Sequence, residues 1–284
     1  MLRLFFALVY ICLIQPDLRA DDIDVKILTY NIRYDARGDM GVRDWQQRKS
    51  AVTDYLANSK ASIIGLQEVV HNQLLDVDKA LPGHAYVGVG RDDGKTRGEY
   101  SPIFYDTKLW KLDPSEQGTF WLSDTPEVVS SRTWGNGIPR ICTWARLIGK
   151  NGKAVYVYNT HWDHRSQNSR VHAAGLILKK IRARTHASEP FILMGDFNSN
   201  TENPAIQTLL RSGILTDPGK KQFLTFSSWK AGLVPGLRID HIFTSTLIKK
   251  AKVEVQSNDD DGGHAASDHH PVVLTMRSPF KPPR

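Results

Sequence analysis

The sequence lacks most of the features that announce a class. Two cysteines occur in 284 residues, Cys12 and Cys142. Cys12 lies in an apolar leader, so a processed chain keeps one thiol and forms no internal disulfide. Burial of a core must hold it together. No His-Glu-x-x-His helix and no cysteine pair is present, which removes the usual zinc frameworks. No Gly-x-Ser-x-Gly elbow occurs, which removes the serine nucleophile of that type. No short-period repeat or low-complexity linker divides the chain. The apolar run Leu4 to Ile14 is too short to span a bilayer comfortably.

That run has another reading. Met1-Leu2-Arg3 supplies a positive start, Gln15-Pro16 breaks the apolar stretch, and Leu18-Arg19-Ala20 is an acceptable cleavage site. Residues 1–20 therefore read as a secretory signal, and the chain is expected to be secreted or periplasmic. An uncleaved N-terminal anchor is the alternative. Lipid attachment at Cys12 does not suit the preceding Tyr10 and Ile11. Residues 21–284 are expected to form one domain, a monomer with no stable membrane insertion. The charge of +7 drops by one with the leader. A positive balance favours polyanionic partners such as nucleic acid or acidic lipid surfaces.

Apolar patterning places strands at 25–32, 62–67, 85–90, 100–106, 110–120, 141–148, 154–160, 191–194, 239–244, 252–256 and 272–276. Helices are expected over 45–59, 71–81, 166–187 and 203–211, the last with Pro204 in its first turn. On the third, Val171, Ala174, Leu178 and Ile181 form the apolar stripe, while Lys179, Lys180, Arg182 and Arg184 read as a solvated face. The strand–helix–strand plan occurs once in each half. This predicts an α/β fold with two sheets packed face to face and helices outside. The segment 91–98 reads as a charged, flexible loop. Trp134 and Trp229 sit in loops, where each could plug its own loop or offer a flat surface to a base, sugar or acyl chain.

Polar groups stand where these strands end. Asn31 follows Thr29-Tyr30, Glu68 follows Leu66-Gln67, and His161 follows Asn159-Thr160. Asp196 and Asn198 flank Phe197, Asp240 opens a strand, and Asp268-His269-His270 precedes Pro271-Val272-Val273. Acids at apolar strand ends are seldom buried without a partner. A divalent cation with hard oxygen ligands, Mg²⁺ or Mn²⁺, would satisfy them, and amide oxygens could complete its shell. Imidazoles add proton transfer or charge neutralisation. Zinc is the second choice: His269 and His270 point to opposite faces of a strand, although His161 and Asp163 could share one. Each feature has a plain structural reading, Asn31 as a turn cap or Glu68 as an arginine partner. Six such coincidences at strand ends are a poor explanation.

Seven motifs occur in one order: Thr29-Tyr30-Asn31-Ile32, Leu66-Gln67-Glu68-Val69, Glu99 through Tyr105, Asn159-Thr160-His161, Gly195-Asp196-Phe197-Asn198, Ile239-Asp240-His241-Ile242 and Ser267-Asp268-His269. This series resembles the endonuclease/exonuclease/phosphatase superfamily across nearly all of 25–276. The resemblance implies a four-layer α/β sandwich, two mixed sheets flanked by helices. It implies a Mg²⁺ (or Mn²⁺) site at Glu68 and Asn31, with Asp268 as a further metal carboxylate. Asp196 and Asn198 would position the attacking water and the phosphate. His161 and His269 would flank that phosphate, partnered by Glu99 and Asp240 respectively. Which carboxylate is the base stays open.

The implied chemistry is phosphodiester hydrolysis by in-line attack of an activated water, with nucleic acid as the first-guess substrate. A lipid or inositol-phosphate phosphoesterase on the same core is the second reading, and a non-catalytic secreted binding protein the third. Trp134, Trp162, Trp229 and Tyr105 are the candidate substrate contacts.

Overall fold

A computed structural model describes residues 24–219 and 223–277; the leader expected over 1–20 lies outside the described residues. The first sheet contains β1 (Asp24–Asn31), β2 (Ile63–Gln67), β3 (His84–Val87), β4 (Ile103–Asp106), β11 (Ala251–Val255) and β12 (Val272–Arg277), in the order β11-β12-β1-β2-β4-β3. The second contains β5 (Trp110–Trp121), β6 (Ile141–Gly149), β7 (Ala154–His161), β8 (Phe191–Asp196), β9 (Leu215–Thr216) and β10 (Asp240–Ser245), in the order β5-β6-β7-β8-β10-β9. Among the described residues four α-helices complete the fold: α1 (Trp45–Asn58), α2 (His71–Ala80), α3 (Gln167–Arg182) and α4 (Pro204–Leu210).

Strand alternation sorts the side chains into layers. In β1, Val25 and Ile27 enter the core between the sheets, and Leu28 and Tyr30 pack with Trp45, Val52 and Leu56 of α1. In β8, Ile192 and Met194 face the other sheet, whereas Phe191 and Leu193 meet Ala174, Ile177 and Ile181 of α3. Three apolar layers thus separate four layers of secondary structure, and the expected α/β sandwich forms. β1–β2 and β7–β8 are the parallel pairs, each bridged by a helix, α1 or α3. Helix starts follow capping chemistry: Asp44, Ser166 and Asn203 each accept a backbone N–H of the first turn.

Two features fix the sheets. Gly195 has φ 143°, and a Cβ there would lie 1.9 Å from the Thr160 carbonyl oxygen, so only glycine lets β8 lie against β7 at this point. Between the sheets, Gln67 Nε2 donates to Asn159 Oδ1 at 2.7 Å and Thr29 Oγ1 at 2.9 Å. Asn159 Nδ2 donates to the carbonyls of Leu66 and Pro102, both at 2.8 Å. A polar bolt therefore crosses the otherwise apolar interface.

The structure departs from the sequence reading in four places. The third helix ends at Arg182, not at 187, because Arg184 turns back to donate to the carbonyls of Ile181, Ala187 and Glu189. Val171 is exposed, and Ala173 and Ile177 take its place on the buried stripe. β9 escaped the pattern because it is two residues long. The charged segment 91–98, expected as a flexible loop, closes on its own backbone. Gly90 and Asp92 donate backbone bonds to Lys95 and Arg97, while the Asp93 carboxylate accepts the N–H groups of Lys95 and Arg97.

Candidate active site

Asn31, Glu68, His161 and Asp196 end or follow β1, β2, β7 and β8, while Asp240 opens β10 and His269 precedes β12. Register brings them together, since Asp196 pairs with His161 in β7 and with Asp240 in β10. From the other sheet, Asn31 Nδ2 donates to Glu68 Oε1 at 3.1 Å and Asp196 Oδ2 at 3.0 Å, and lies 3.4 Å from His269 Nε2. Its Oδ1 accepts the Arg33 N–H, which sets the amide's orientation. Non-glycine residues stand in the left-handed region at three of these exits: Arg33 (φ 57°), Glu68 (φ 60°) and Asn198 (φ 47°). Such backbone costs energy and is common where chain turns must aim functional groups; nothing in the composition signalled it.

The two imidazoles live in opposite environments. His269 Nδ1 lies 2.9 Å from Asp240 Oδ2, and its Nε2 lies 3.7 Å from Asp196 Oδ2. Burial opposes its charge, but Asp240 and Asp196 outweigh burial and raise its pKa to about 10. His269 is thus an imidazolium at neutral pH. His161 is pushed down to about 3, first by burial and then by the Arg140 guanidinium. Its Nδ1 has no hydrogen-bond partner, and Glu99 stands off at 3.6 Å. Glu99 is held by Arg91 through two 2.7 Å bonds and reaches His161 only at ion-pair distance, without a hydrogen bond.

Burial first, and then Asp240, raise the Asp196 carboxyl above its ordinary range; burial first, and then Glu68, do the same to Asp268. Asp240 Oδ1 is buried without a partner. Crowded acids, one orphaned oxygen and an amide wedged between two carboxylates suit a divalent cation with oxygen ligands. Among the described residues the one compact group of potential ligands is Asp196, Asp240 and His269, whose ligand atoms lie within 4.8 Å of one another; while protonated, His269 offers no lone pair, and the two carboxylates are the ligands of this group. Glu68 and Asn31 adjoin this group through the Asn31 amide. Asp268 turns its backbone carbonyl to Ser227 N and Ser228 N.

Asn198 shares the turn with Asp196, whose Oδ1 accepts its N–H at 2.8 Å, but its Nδ2 donates to the Trp162 carbonyl. Three expected substrate contacts are corrected by burial. Trp162 has no exposed surface and packs edge-on against Phe197. Tyr105 belongs to the core between the sheets. Trp134 is stacked on His172 and donates to Asp124 Oδ1 at 2.7 Å. Trp229 is half-buried, with the guanidinium groups of Arg43 and Arg48 each 5.5 Å from its ring.

Sequence reasoning missed Phe226. Its ring lies 5.2 Å from that of His269, edge-on, and it is 47% exposed. Arg91, Arg140 and Arg48 were missed as well. A lone Phe or Arg carries no motif, and their proximity to the site comes from tertiary folding, of loops for Phe226 and Arg91 and of α1 for Arg48.

Architecture defines the class: a four-layer α/β sandwich carrying acids and imidazoles at the ends of strands from both sheets. The chain belongs to the endonuclease/exonuclease/phosphatase family, whose profile matches residues 28–269. It is similar to an endonuclease/exonuclease/phosphatase of Bacteroides vulgatus, with 32% identity, TM-score 0.80, and 89% of this chain and 98% of that one covered. It is also similar to a mannosyl-6-phosphatase of Bacteroides thetaiotaomicron, with 33% identity, TM-score 0.77, and 88% and 98% covered. The human nocturnin catalytic domain shares the fold alone, at 16% identity and TM-score 0.68, with 89% and 93% covered. No curated protein sequence matches the chain significantly.

Proposed function

We propose that the chain is a divalent-metal-dependent phosphoesterase, working outside the cytoplasm, that hydrolyses small phosphate esters with a sugar-like leaving group. The observation that carries the reaction is the convergence of Asn31, Glu68 and His269 from one sheet with Asp196 and Asp240 from the other. When bound, Mg²⁺ or Mn²⁺ supplies charge stabilisation at the phosphoryl oxygens. Asp196, buried and raised, suits acceptance of the proton from an attacking water. The water oxygen bonds to phosphorus in line, the ester oxygen departs with the bonding pair, and the proton taken by Asp196 is returned through solvent to complete the alcohol. His269, held charged by Asp240, donates from Nε2 to the phosphoryl oxygens. His161, neutral, offers one N–H without adding a charge.

The substrate class is supported by the mannosyl-6-phosphatase likeness and by the engagement of the nearby arginines. Arg33 pairs with Asp39, Arg91 with Glu99 and Arg140 with Asp163. None of these three is free to follow a polyanionic backbone. Nucleic acid is the second reading, favoured by the net charge of +7. The leader pattern supports export. The test is to incubate the processed chain with Mg²⁺ or Mn²⁺ and mannose 6-phosphate, p-nitrophenyl phosphate, bis(p-nitrophenyl) phosphate and a DNA oligonucleotide. Phosphate release from the monoesters is expected. Cleavage of DNA alone would favour the second reading, and inertness across the panel would sink both.

A further inference from the structure

Arg48 lies on the outer helix α1 and belongs to none of the motifs above. Only 3% of the residue is exposed, yet no ion pair to a carboxylate forms among the described residues. Its guanidinium is satisfied by carbonyl oxygens instead. Nε donates to Arg43 at 2.9 Å, Nη1 to Ile32 at 2.5 Å and Ala266 at 3.2 Å, and Nη2 to Arg33 at 2.6 Å and Tyr34 at 3.4 Å. The indoles of Trp45 and Trp229 lie 5.0 and 5.5 Å from it. Trp45 is tied in turn to α2 through Asp76.

A buried guanidinium loses its hydration and persists only where each N–H finds an acceptor. Arg43 apart, the acceptors belong to two segments that carry the site. Ile32, Arg33 and Tyr34 directly follow Asn31, and the Tyr34 N–H holds Glu68 Oε2 at 3.2 Å. Ala266 precedes Ser267, whose hydroxyl donates to the Asn31 carbonyl at 2.7 Å, and Ser267 leads into Asp268 and His269. Trp229 comes from a third segment, which carries Phe226 and whose Ser227 and Ser228 N–H groups bind the Asp268 carbonyl.

We propose that Arg48 is a positioning residue for this site, and that Trp229 is the latch through which it also holds the loop carrying Phe226. One planar fork sets the distance between the Asn31–Glu68 pair and the His269 segment. Cation–π contact with Trp229 keeps the loop down. The inference rests on the proposed phosphoesterase reading only for its kinetic test. Lysine cannot replace the fork, because an ammonium has three donors and no plane.

Arg48→Lys and Trp229→Ala are compared with wild type in p-nitrophenyl phosphate hydrolysis and in Mn²⁺ binding by calorimetry, with melting temperature and near-ultraviolet circular dichroism as checks. Loss of an outer partner of this kind typically costs about 10–100-fold in activity or metal affinity. Arg48→Lys is expected to lose about that much in kcat, with KM nearly unchanged, and to weaken Mn²⁺ binding. Trp229→Ala is expected to lose less kcat, with Trp229→Phe restoring it. Unchanged kcat and Mn²⁺ affinity in folded Arg48→Lys would overturn the proposal. So would losses that merely track the unfolded fraction, or a Trp229→Ala variant that raises KM alone, since Trp229 would then be a substrate contact. Should Arg48→Lys fail to fold, Trp229→Ala still decides the latch. If wild type hydrolyses no ester, the functional reading fails, while the Mn²⁺ isotherms still test Arg48.

Discussion

His161 and His269 stand on either side of Asp196, one from each sheet, and differ in nearly everything else. The first lacks a hydrogen-bonded carboxylate, because Arg91 has taken Glu99, and Arg140 repels its proton. The second has Asp240 at 2.9 Å and holds its proton to about pH 10. Two identical side chains therefore become a neutral donor and, at neutral pH, a cation, according to whether a guanidinium or a carboxylate stands beside each. The difference teaches that environment, not residue type, assigns the roles.

Several changes would break or sharpen that contrast. Chelation should act most strongly, abolishing hydrolysis until Mg²⁺ or Mn²⁺ is restored, as measured by phosphate release; retained activity would remove the metal from the scheme. His269→Ala should lower kcat by roughly 10³-fold, at the upper end usual for loss of one charge-stabilising donor, with the melting temperature used to confirm folding.

Asp240→Asn should move the alkaline limb of the pH–rate profile from near pH 10 toward the ordinary histidine range. The same pairing affects stability. Because the folded pKa of His269 lies above its unfolded value, the contribution is complete below about pH 6.5 and fades as pH approaches about 10. Melting temperatures across that window should fall in wild type and stay flatter in Asp240→Asn.

His161→Asn should cost about 10²-fold in kcat without shifting either limb, since His161 carries no titrating charge near neutrality. Smallest of all, Trp134→Phe should leave KM unchanged, losing only a little stability in thermal unfolding for the missing bond to Asp124. A raised KM would restore Trp134 as a substrate contact.

The layered fold was legible because strand alternation and helical stripes record burial directly. Leu28 and Tyr30 against Val25 and Ile27 are one example. The candidate site was legible where a polar residue interrupts an apolar strand end, as at Glu68 and Asp196. What escaped was pairing and exposure. Nothing in the sequence says that Arg91 takes Glu99, that Trp162 lies under Phe197, or that segment 91–98 closes on its own backbone. Those outcomes depend on loops whose turns are set by left-handed residues and by carboxylates acting locally. Phe226 and Arg48 were invisible for the same reason, as each meets the site through a neighbour distant in the chain.

The hydrogen bond between Gln67 and Asn159 has a further consequence. Apolar faces alone would let two sheets slide past one another at little cost, whereas a directional amide pair permits one registry. One residue beyond Gln67 stands Glu68, and two beyond Asn159 stands His161. The amide pair therefore fixes how far Glu68 of one sheet stands from His161 of the other.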